Sequence, residues 1–480
     1  MHTRAKALSC ISAAAIVGLI ACGASRKPGF AAGEQPDGSA PAVQPDGGSS
    51  GTTIDPSSGD AGSLGSQGDA PPGEPCASGS TSISGTIYDP AARNPLYNVV
   101  AYVPSTTPSP LPTGASCDSC NALYTGSPLA TALSDASGHF VLTGVPAGPS
   151  VPLVLQIGKW RKQMTVAVTA CQDNPQPDRS LTLPKNQSEG DLPRIAVSTG
   201  EADTLECLLR RVGVDASEFV PGGSTAGHVA IFAGGDPSMP GAKGGPGSNT
   251  VPPGPVASQA LWDSQADLMG YDIVLLSCEG APTFQPDEDA LAAYASSGGR
   301  VFASHFHYEW LQNGPWGQAD LANWASSGDF SGNVSGAIVT TLPNGQVFPK
   351  GVAMQQWLTN VGALAGGELP IASAKHDVKN SNVPSQSWIV AGPATTYPGA
   401  SQYFSFDAPL GAVAACGRVV FSDIHVSGAS SDDPSQPVPE ECSAAALSPQ
   451  EDALEFMLFD LSSCVIPVSQ PPAPPPPVPQ

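Results

Sequence analysis

The sequence is poor in charged residues, and positive charge is especially scarce. Only 13% of its 480 residues are charged, and 19 Lys and Arg side chains stand against 42 Asp and Glu, giving a formal net charge of -23. Nucleic-acid binding requires a basic face that releases counterions from phosphate. The charge balance therefore argues against nucleic acid as a partner, and the acidity is better explained as an aid to solubility.

Long apolar runs are also scarce, whereas Gly and Pro are abundant. The 53 glycines and 51 prolines predict turn-rich domains joined by linkers rather than a helical protein. An apolar run near the start, residues 7–21, is too short to span a bilayer as a helix. With 480 residues, the chain is long enough for two or three domains that each bury a core.

The leader, residues 1–22, resembles the signal peptide of bacterial lipoproteins. Arg4 and Lys6 precede the apolar run, and Leu19-Ile20-Ala21-Cys22 matches a lipobox, in which cleavage precedes a cysteine that is then lipidated. An ordinary secretory leader with a chance cysteine is the alternative. The resemblance implies a cell-envelope protein anchored to a membrane by lipid on its cysteine. Gly23 replaces the aspartate that retains such proteins at the inner membrane, which suggests the outer membrane, with a periplasmic or surface-facing protein.

Two further segments do not have the composition of a folded domain. Residues 23–75 consist mainly of Gly, Ser, Pro, Asp and Ala, and predict a disordered tether because they cannot bury enough apolar surface. Such a tether would have an r.m.s. reach of about 40 Å. Residues 467–480 are rich in proline and predict a polyproline II tail that serves as a spacer or a ligand strip.

The cysteines predict disulfides. Nine cysteines follow the lipobox, and in an exported protein their odd number leaves at least one thiol unpaired within the chain. Cys117 and Cys120 have the Cys-x-x-Cys spacing that is also found in redox pairs and in half of a zinc site. Neither a βαβ pattern nor a second pair accompanies them. A structural disulfide involving Cys117, Cys120, Cys76 or Cys171 is therefore the preferred interpretation.

Residues 76–190 read as a β-sandwich. Short alternating runs such as ISGTIYD, GHFVLTGV and VPLVLQIGKW have strand length and are separated by turn residues. Ser84-Gly85-Thr86 and the run DASGHFVLTGVPAG from Asp135 resemble the carboxypeptidase regulatory-like, transthyretin-like domain. The resemblance implies a non-catalytic spacer, stabiliser or adhesive unit. A basic strand, Lys159-Trp160-Arg161-Lys162, is predicted to be a solvated face.

Residues 191–466 alternate between strands and helices. RIAVSTG, YDIVLLSC, RVFAS and GRVVFSDIHV read as strands, and amphipathic segments lie between or after them. This alternation predicts a parallel sheet with helices on both sides.

The second domain resembles the class I glutamine amidotransferase-like fold, and within it the ThuA-like group. The resemblance is carried by residues 194–200 and 271–274, by Gly298-Gly299-Arg300 leading to Ser304-His305, and by Gly417-Arg418-Val419 leading towards His425. It implies a flavodoxin-like sheet with a pocket at the strand ends and an association with sugar utilisation. Amidotransferases carry a glycine-flanked cysteine where this chain has Ser304-His305, so glutaminase chemistry is not expected. Without those glycines, the backbone of a nucleophile elbow would be strained.

Three strand ends carry polar residues, and two of these ends carry the candidate metal ligands. In an open α/β sheet ligands bind beyond the carboxyl ends of the strands. In extended segments His305, His307 and Glu309 would share one face, as would Asp423 and His425. These residues suit a divalent metal such as zinc with a water ligand. Histidines hydrogen-bonded in a wet crevice are the alternative, and a helix beginning at His305 would break the shared face.

Catalytic and binding roles both remain open on the sequence alone. His305, His425 and Cys278 are the candidate catalytic residues. Cys278 is either a reactive thiol lowered in pKa by a helix N-terminus, or a disulfide partner of Cys207 or a buried thiol. Five tryptophans have two possible roles, because they either stack on sugar rings of a glycan or pack in the core. They are Trp310, Trp316, Trp324, Trp357 and Trp388.

Two functions are compatible with these features, and a purely structural spacer is a third possibility. The first is a cell-envelope lipoprotein that binds a glycan or small molecule, with a degenerate amidotransferase-like domain. The second is a metal- or histidine-dependent hydrolase that acts on a carbohydrate or an amide.

Overall fold

A computed structural model describes part of the chain: residues 76, 79–117, 120–235, 256–282, 288–325, 329–372, 374–426 and 438–478. The predicted leader with Cys22 and the predicted tether lie outside the described residues. The described residues belong to one compact unit that contains several sheets and is mainly β. None of its described helices is long and apolar enough to cross a membrane.

The first part of the unit is a β-sandwich of two four-stranded sheets. Its strands are β1 (Ser82–Tyr88), β2 (Val100–Pro104), β3 (Pro128–Leu133), β4 (His139–Thr143), β5 (Gly148–Ile157), β6 (Trp160–Val168), β7 (Asp173–Pro175) and β8 (Leu181–Thr182). One sheet has the order β4-β1-β7 with β8 beside β1, and the other has the order β3-β2-β5-β6. The alternation in β4 buries Phe140 and Leu142 in the core that both sheets share.

The second part contains the remaining described strands and all of the α-helices in the described residues. Its strands are β9 (Ile195–Ser198), β10 (Phe219–Pro221), β11 (Val229–Ala233), β12 (Val256–Ala257), β13 (Ile273–Leu276), β14 (Arg300–Ser304), β15 (Ala322–Trp324), β16 (Val334–Ile338), β17 (Leu369–Ile371), β18 (Val378–Ser381), β19 (Gln386–Ala391), β20 (Ser401–Ala408) and β21 (Gly417–Ser422). Its helices are α1 (Leu205–Arg211), α2 (Gln259–Trp262), α3 (Gln265–Leu268), α4 (Asp289–Ser296), α5 (Glu309–Gln312), α6 (Gly314–Gly317), α7 (Pro349–Asn360) and α8 (Pro449–Ser462).

The large sheet is parallel over one half and antiparallel over the other. Its order is β10-β11-β9-β13-β14-β21-β20-β19-β16-β17, with β12 beside β11. The first six strands of this order run parallel to one another; they are β10, β11, β9, β13, β14 and β21. The next four strands, β20, β19, β16 and β17, are each antiparallel to the strand before them in the order. β15 and β18 form a separate antiparallel pair. The expected parallel sheet is therefore only part of a larger mixed sheet.

Helices cover both faces of the parallel half. Side chains of α1, α7 and α8 pack into one core, which is continuous with the core of the sandwich. Side chains of α2, α3, α4, α5 and α6 form the core on the opposite face. The tryptophans considered for glycan stacking pack in these cores: four are almost fully buried and Trp324, half-buried, lies against Phe404 and Phe421.

The sandwich docks directly on the helices of the second part. Trp160 of the basic strand packs on Phe459 of α8, with 5.8 Å between ring centroids. Lys159 pairs with Asp272 across the contact, and Arg161 is only 2% exposed. The expectation that this strand is a solvated face is therefore wrong, because its side chains contact the second part of the unit.

Disulfides connect distant parts of the chain. Cys76 pairs with Cys171 within the sandwich, Cys117 pairs with Cys416, and Cys207 pairs with Cys442. The second of these joins a sandwich loop to the segment before β21, across 299 residues of sequence. Cys278 is a buried free thiol, so the proposed disulfide between Cys278 and Cys207 does not form.

The described part of the proline-rich tail is held against the sandwich. The hydroxyl of Thr131 in β3 donates to the carbonyl of Pro475 at 2.7 Å. The backbone N–H of Val478 donates to the carbonyl of Pro128 at 2.8 Å. The tail therefore follows the edge strand β3 at these two positions.

Candidate metal centre

Three neighbouring parallel strands bring Cys278, His305 and His425 together. β13, β14 and β21 lie side by side in register, and these residues follow their carboxyl ends. Each residue offers one ligand atom, and the three atoms lie within 4.8 Å of one another. The Cys278 sulfur is 3.2 Å from Nδ1 of His305, and the centroids of the two imidazole rings are 4.9 Å apart.

The backbone turns sharply at His305. β14 ends at Ser304, and a 3₁₀ turn covers His305–Tyr308 instead of the extended segment on which the alternation argument relied. His305 has a φ of +45°, in the left-handed region that costs a non-glycine residue about 1–2 kcal/mol. The chain therefore turns sharply at His305 without the flanking glycines that would relieve the strain. The turn places His305 immediately after the end of β14.

The turn separates the other proposed ligands from this group. Nε2 of His307 donates to the carbonyl of Ser277 at 2.9 Å. Glu309 begins α5 and accepts a hydrogen bond from Asn313 at 2.8 Å. Nδ1 of His307 is buried without a hydrogen-bond partner among the described residues, but neither His307 nor Glu309 is among the three residues whose ligand atoms converge.

Asp423 orients a neighbouring segment. Its Oδ2 accepts the backbone N–H groups of Asp377 at 3.0 Å and Val378 at 3.2 Å. The backbone carbonyl of Asp423 also accepts the N–H of Lys375 at 2.7 Å. Of the five ligands proposed from the sequence, the structure thus brings together His305 and His425, and Cys278 provides the third donor.

Asp377 completes the group and was not foreseen from the sequence. Its Oδ2 lies 3.4 Å from Nε2 of His305, on the side of the ring opposite Cys278. The carboxyl groups of Asp377 and Asp423 interact with each other, and a hydrogen bond between them requires that one of the two carries a proton. Burial and the charge of Asp377 raise the pKa of Asp423 well above its usual range, which makes Asp423 the protonated partner. Asp377 is then the ionised acceptor that faces His305.

Both imidazoles are neutral at pH 7. Burial, together with the charges of His425 and Lys375, lowers the pKa of His305 to about 2. Burial and the charge of Lys375 lower the pKa of His425 to about 4. Because Nε2 of His305 faces a carboxylate, it carries the ring proton, and Nδ1 offers its lone pair towards Cys278.

The cysteine is protonated when no cation is beside it. Burial raises the pKa of the Cys278 thiol to about 12, although the backbone N–H groups of Gly280 and Phe306 donate to the sulfur and oppose the rise. Such N–H donors stabilise the sulfur when it is ionised. A bound cation would supply the missing positive charge and convert the thiol to a thiolate ligand.

The donor set fits a metal ion. One sulfur and two imidazole nitrogens are ligands that zinc and other thiophilic cations accept. Nε2 of His425 is buried and has no hydrogen-bond partner among the residues that the structure describes. His305 places its second nitrogen against Asp377, as metal-bound histidines usually do with a carboxylate. Cys207, Glu441 and Cys442 also lie close together, but the two cysteines form a disulfide and are not available as thiolates.

The centre is closed to solvent. Cys278 is 0% exposed, His305 4% and His425 5%. Lys375, whose charge acts on both imidazoles, pairs with the exposed Asp329 at 3.2 Å.

Comparison with known proteins does not assign a family. No family model matches the chain, and no curated protein matches it. Two solved structures are similar over a short part of it; both are interface mutants of a type II cohesin–X-dockerin complex from Acetivibrio cellulolyticus. The C-terminal interface mutant shares 14% identity over 30% of this chain and 79% of that one, with a TM-score of 0.15. The N-terminal interface mutant shares 14% identity over 28% and 85%, with a TM-score of 0.16.

Proposed function

We propose that this chain is a metal-binding protein of the bacterial cell envelope, with its metal centre at Cys278, His305 and His425. The observation that carries the proposal is the convergence of one thiol and two neutral imidazoles within 4.8 Å. Sulfur and imidazole donors favour zinc or a similar thiophilic cation over Mg²⁺ and Ca²⁺, which prefer oxygen ligands.

The fold around the centre is proposed to be flavodoxin-like, as the ThuA-like resemblance implies. The strand order β11-β9-β13-β14-β21 corresponds to 2-1-3-4-5 when these strands are numbered along the chain. That order is typical of flavodoxin-like sheets, which bind ligands at the carboxyl ends of their strands. The sandwich is proposed to be a transthyretin-like stabilising module.

The proposed location in the cell envelope rests on the leader. The lipobox ending at Cys22 supports a lipid anchor, and disulfides such as Cys76–Cys171 suit an exported protein. The outer membrane remains our proposed location. A glycan or small-molecule ligand remains a prediction, with Lys375 and Asp329 as the polar groups beside the centre.

A thiol-dependent hydrolase is the second candidate. Cys278, His305 and Asp377 follow one another in the order thiol, imidazole and carboxylate that supports nucleophilic catalysis. The fully buried sulfur and the raised pKa of Cys278 count against this role, because the attacking species must be an accessible thiolate. The metal centre therefore explains the same geometry better.

Metal analysis of the purified full-length protein tests the proposal. We expect one zinc ion per chain after zinc loading, and a sulfur-to-metal charge-transfer band when Co²⁺ replaces zinc. Cys278→Ser should abolish the band, and His425→Ala should weaken metal binding about 100-fold or more. His139→Ala, an exposed histidine of the sandwich, is the matched control and should bind like the native protein.

Two outcomes would overturn the assignment. The absence of stoichiometric metal together with the absence of a charge-transfer band would exclude the centre. Rapid alkylation of Cys278 that zinc does not slow and that His305→Ala abolishes would instead support the thiol-dependent hydrolase.

A further inference from the structure

A second group of buried acids lies where the sandwich contacts α8. Asp89, just after β1, is 1% exposed, whereas Asp452 and Glu455 of α8 are 8% and 0% exposed. Asn94 of the sandwich lies between them, and its Nδ2 donates to Asp452 at 2.9 Å and to Glu455 at 2.6 Å. Three acidic side chains, which are all negatively charged when ionised, therefore meet at the contact between the two parts of the unit.

The chemistry of this contact requires a proton. Oδ2 of Asp89 and Oε1 of Glu455 are buried and receive no hydrogen bond from any donor among the described residues. The two carboxyl groups interact with each other, and a hydrogen bond between them requires a proton, because two ionised carboxylates can only accept. Asp89 already accepts the backbone N–H of Arg93 at 2.7 Å, which favours its ionised form. Glu455 is therefore the donor, and its proton links α8 to the sandwich.

A cation does not explain the group equally well. A cation site requires ligand atoms that converge on one point. Among the described residues, three ligand atoms come within 4.8 Å of one another only in the Cys278 and Cys207 groups. Asn94 joins the carboxyls of Asp452 and Glu455 instead, and Glu455 interacts with Asp89.

The surrounding charges do not neutralise the acids. The charge of Arg93 favours the ionised form of Asp89, but its guanidinium donates to the carbonyls of Ala444 and Ala445 rather than to a carboxylate of the group. On α8, Glu451 lies beside Asp452 and adds negative charge, although Glu451 itself pairs with Arg211 of α1. A fully ionised group would thus place like charges in a buried contact.

We propose that Asp89, Asp452 and Glu455 form a proton-dependent clasp that fastens the sandwich to α8 and releases as the pH rises. This inference is independent of the metal centre. The acids titrate in the range that the clasp requires: burial raises the pKa of Asp89 to about 6 and that of Asp452 to about 7, and it raises the pKa of Glu455 well above its usual value.

The sign of the effect follows from these directions. An acid whose pKa is higher in the folded protein than in the unfolded chain stabilises the fold fully below the unfolded value, near 4. That stabilisation is lost as the pH rises through the folded values. The contact should therefore hold at pH 6 and loosen by pH 9.

Hydrogen exchange of the full-length protein at pH 6 and pH 9, corrected for intrinsic rates, tests the clasp. In the native protein, we expect the protection factors of amides in α8 and in residues 89–98 to be at least about tenfold lower at pH 9 than at pH 6. Glu455→Gln should keep its protection at pH 9, because its amide N–H can donate to Asp89 without titrating. Glu440→Gln, an exposed glutamate, is the matched control and should behave like the native protein.

A second variant covers the possibility that Glu455→Gln does not fold. Asp452→Asn keeps an oxygen that accepts from Asn94 and removes one of the three charges. It should reduce the loss of protection at pH 9. The same loss in the native protein and in every folded variant of the clasp would overturn the proposal, as would equal protection of the native protein at both pH values.

Discussion

The sulfur of Cys278 lies 3.2 Å from Nδ1 of His305, although 27 residues separate them in the chain. Adjacent parallel strands create this contact, because β13 and β14 end at the same edge of the sheet. His425 reaches the same point from β21, the next strand in the sheet. The centre therefore depends on strand order and register rather than on any local motif.

Removing the charge of Asp377 should weaken metal binding. Asp377→Asn keeps the size of the side chain but replaces the carboxylate that faces Nε2 of His305. Because carboxylate partners orient and polarise metal-bound histidines, we expect affinity for zinc to fall about 10- to 100-fold. Competition titration with a chromophoric chelator measures this change. Asp329→Asn, an exposed acid near the centre, is the control, and an equal loss there would show that bulk charge is responsible.

Metal affinity should rise with pH, with a slope of one proton. The pKa of the Cys278 thiol is raised to about 12, so the thiol must lose its proton on binding. The pKa values of His305 and His425 are lowered to about 2 and about 4, so the imidazoles release none at neutral pH. Affinity should increase about tenfold per pH unit between pH 6 and pH 8. Calorimetry in buffers of different ionisation enthalpy counts the protons, and a count of zero or two would contradict this ligand set.

Loss of the Cys117–Cys416 disulfide should destabilise the whole unit. This bond joins residues 299 positions apart, and it links the sandwich to the segment before β21. The double variant Cys117→Ser and Cys416→Ser should lower the free energy of unfolding by about 2–4 kcal/mol. Urea denaturation followed by far-UV circular dichroism provides the measurement. A change in metal affinity of similar size would indicate that this bond also shapes the distant centre.

Two glycines provide a matched test of the contact between the sandwich and α1. A Cβ on Gly213, which has a φ of +104°, would lie 2.2 Å from the backbone nitrogen of Ala91. Gly223 has a φ of +78° and no neighbour within 4 Å of that position. Both alanine variants bear a backbone penalty of about 1 kcal/mol, but Gly213→Ala should cost about 1–3 kcal/mol more because of the clash. Chemical denaturation measures the free energy of unfolding of both variants. Equal losses of stability would mean that the backbone at this contact shifts easily to make room for the added methyl group.

The sequence was informative where a buried strand ends. Unbroken apolar runs mark β13 and β14, and polar residues that follow such runs in a parallel sheet converge at one edge. This reasoning predicts that the strand ends carrying Cys278, His305 and His425 meet at one edge of the sheet, as the structure shows. The hydrogen-bond partners of these residues could not be predicted from the sequence. The turn that begins at His305 depends on a positive φ, and no residue pattern in the sequence indicates it.

Asp377 and the antiparallel half of the large sheet required the structure. Asp377 precedes β18 in an irregular segment, and the pairing of Ala374 with Ile424 places it beside His305. Such pairing arises from contacts between distant segments, which local alternation does not reveal. The docking of Lys159 on Asp272 belongs to the same class, since a charged strand reads as solvated until its partner is known.

The tail on β3 has a consequence for how this protein behaves at high concentration. An uncovered edge strand presents unpaired backbone groups to any other chain, and it is a common starting point for sheet-to-sheet aggregation. Pro475 and Val478 occupy this edge through their contacts with Thr131 and Pro128. The proline-rich segment lacks most of the N–H groups needed to extend a sheet, so another strand could not readily continue the sheet where the segment covers this edge.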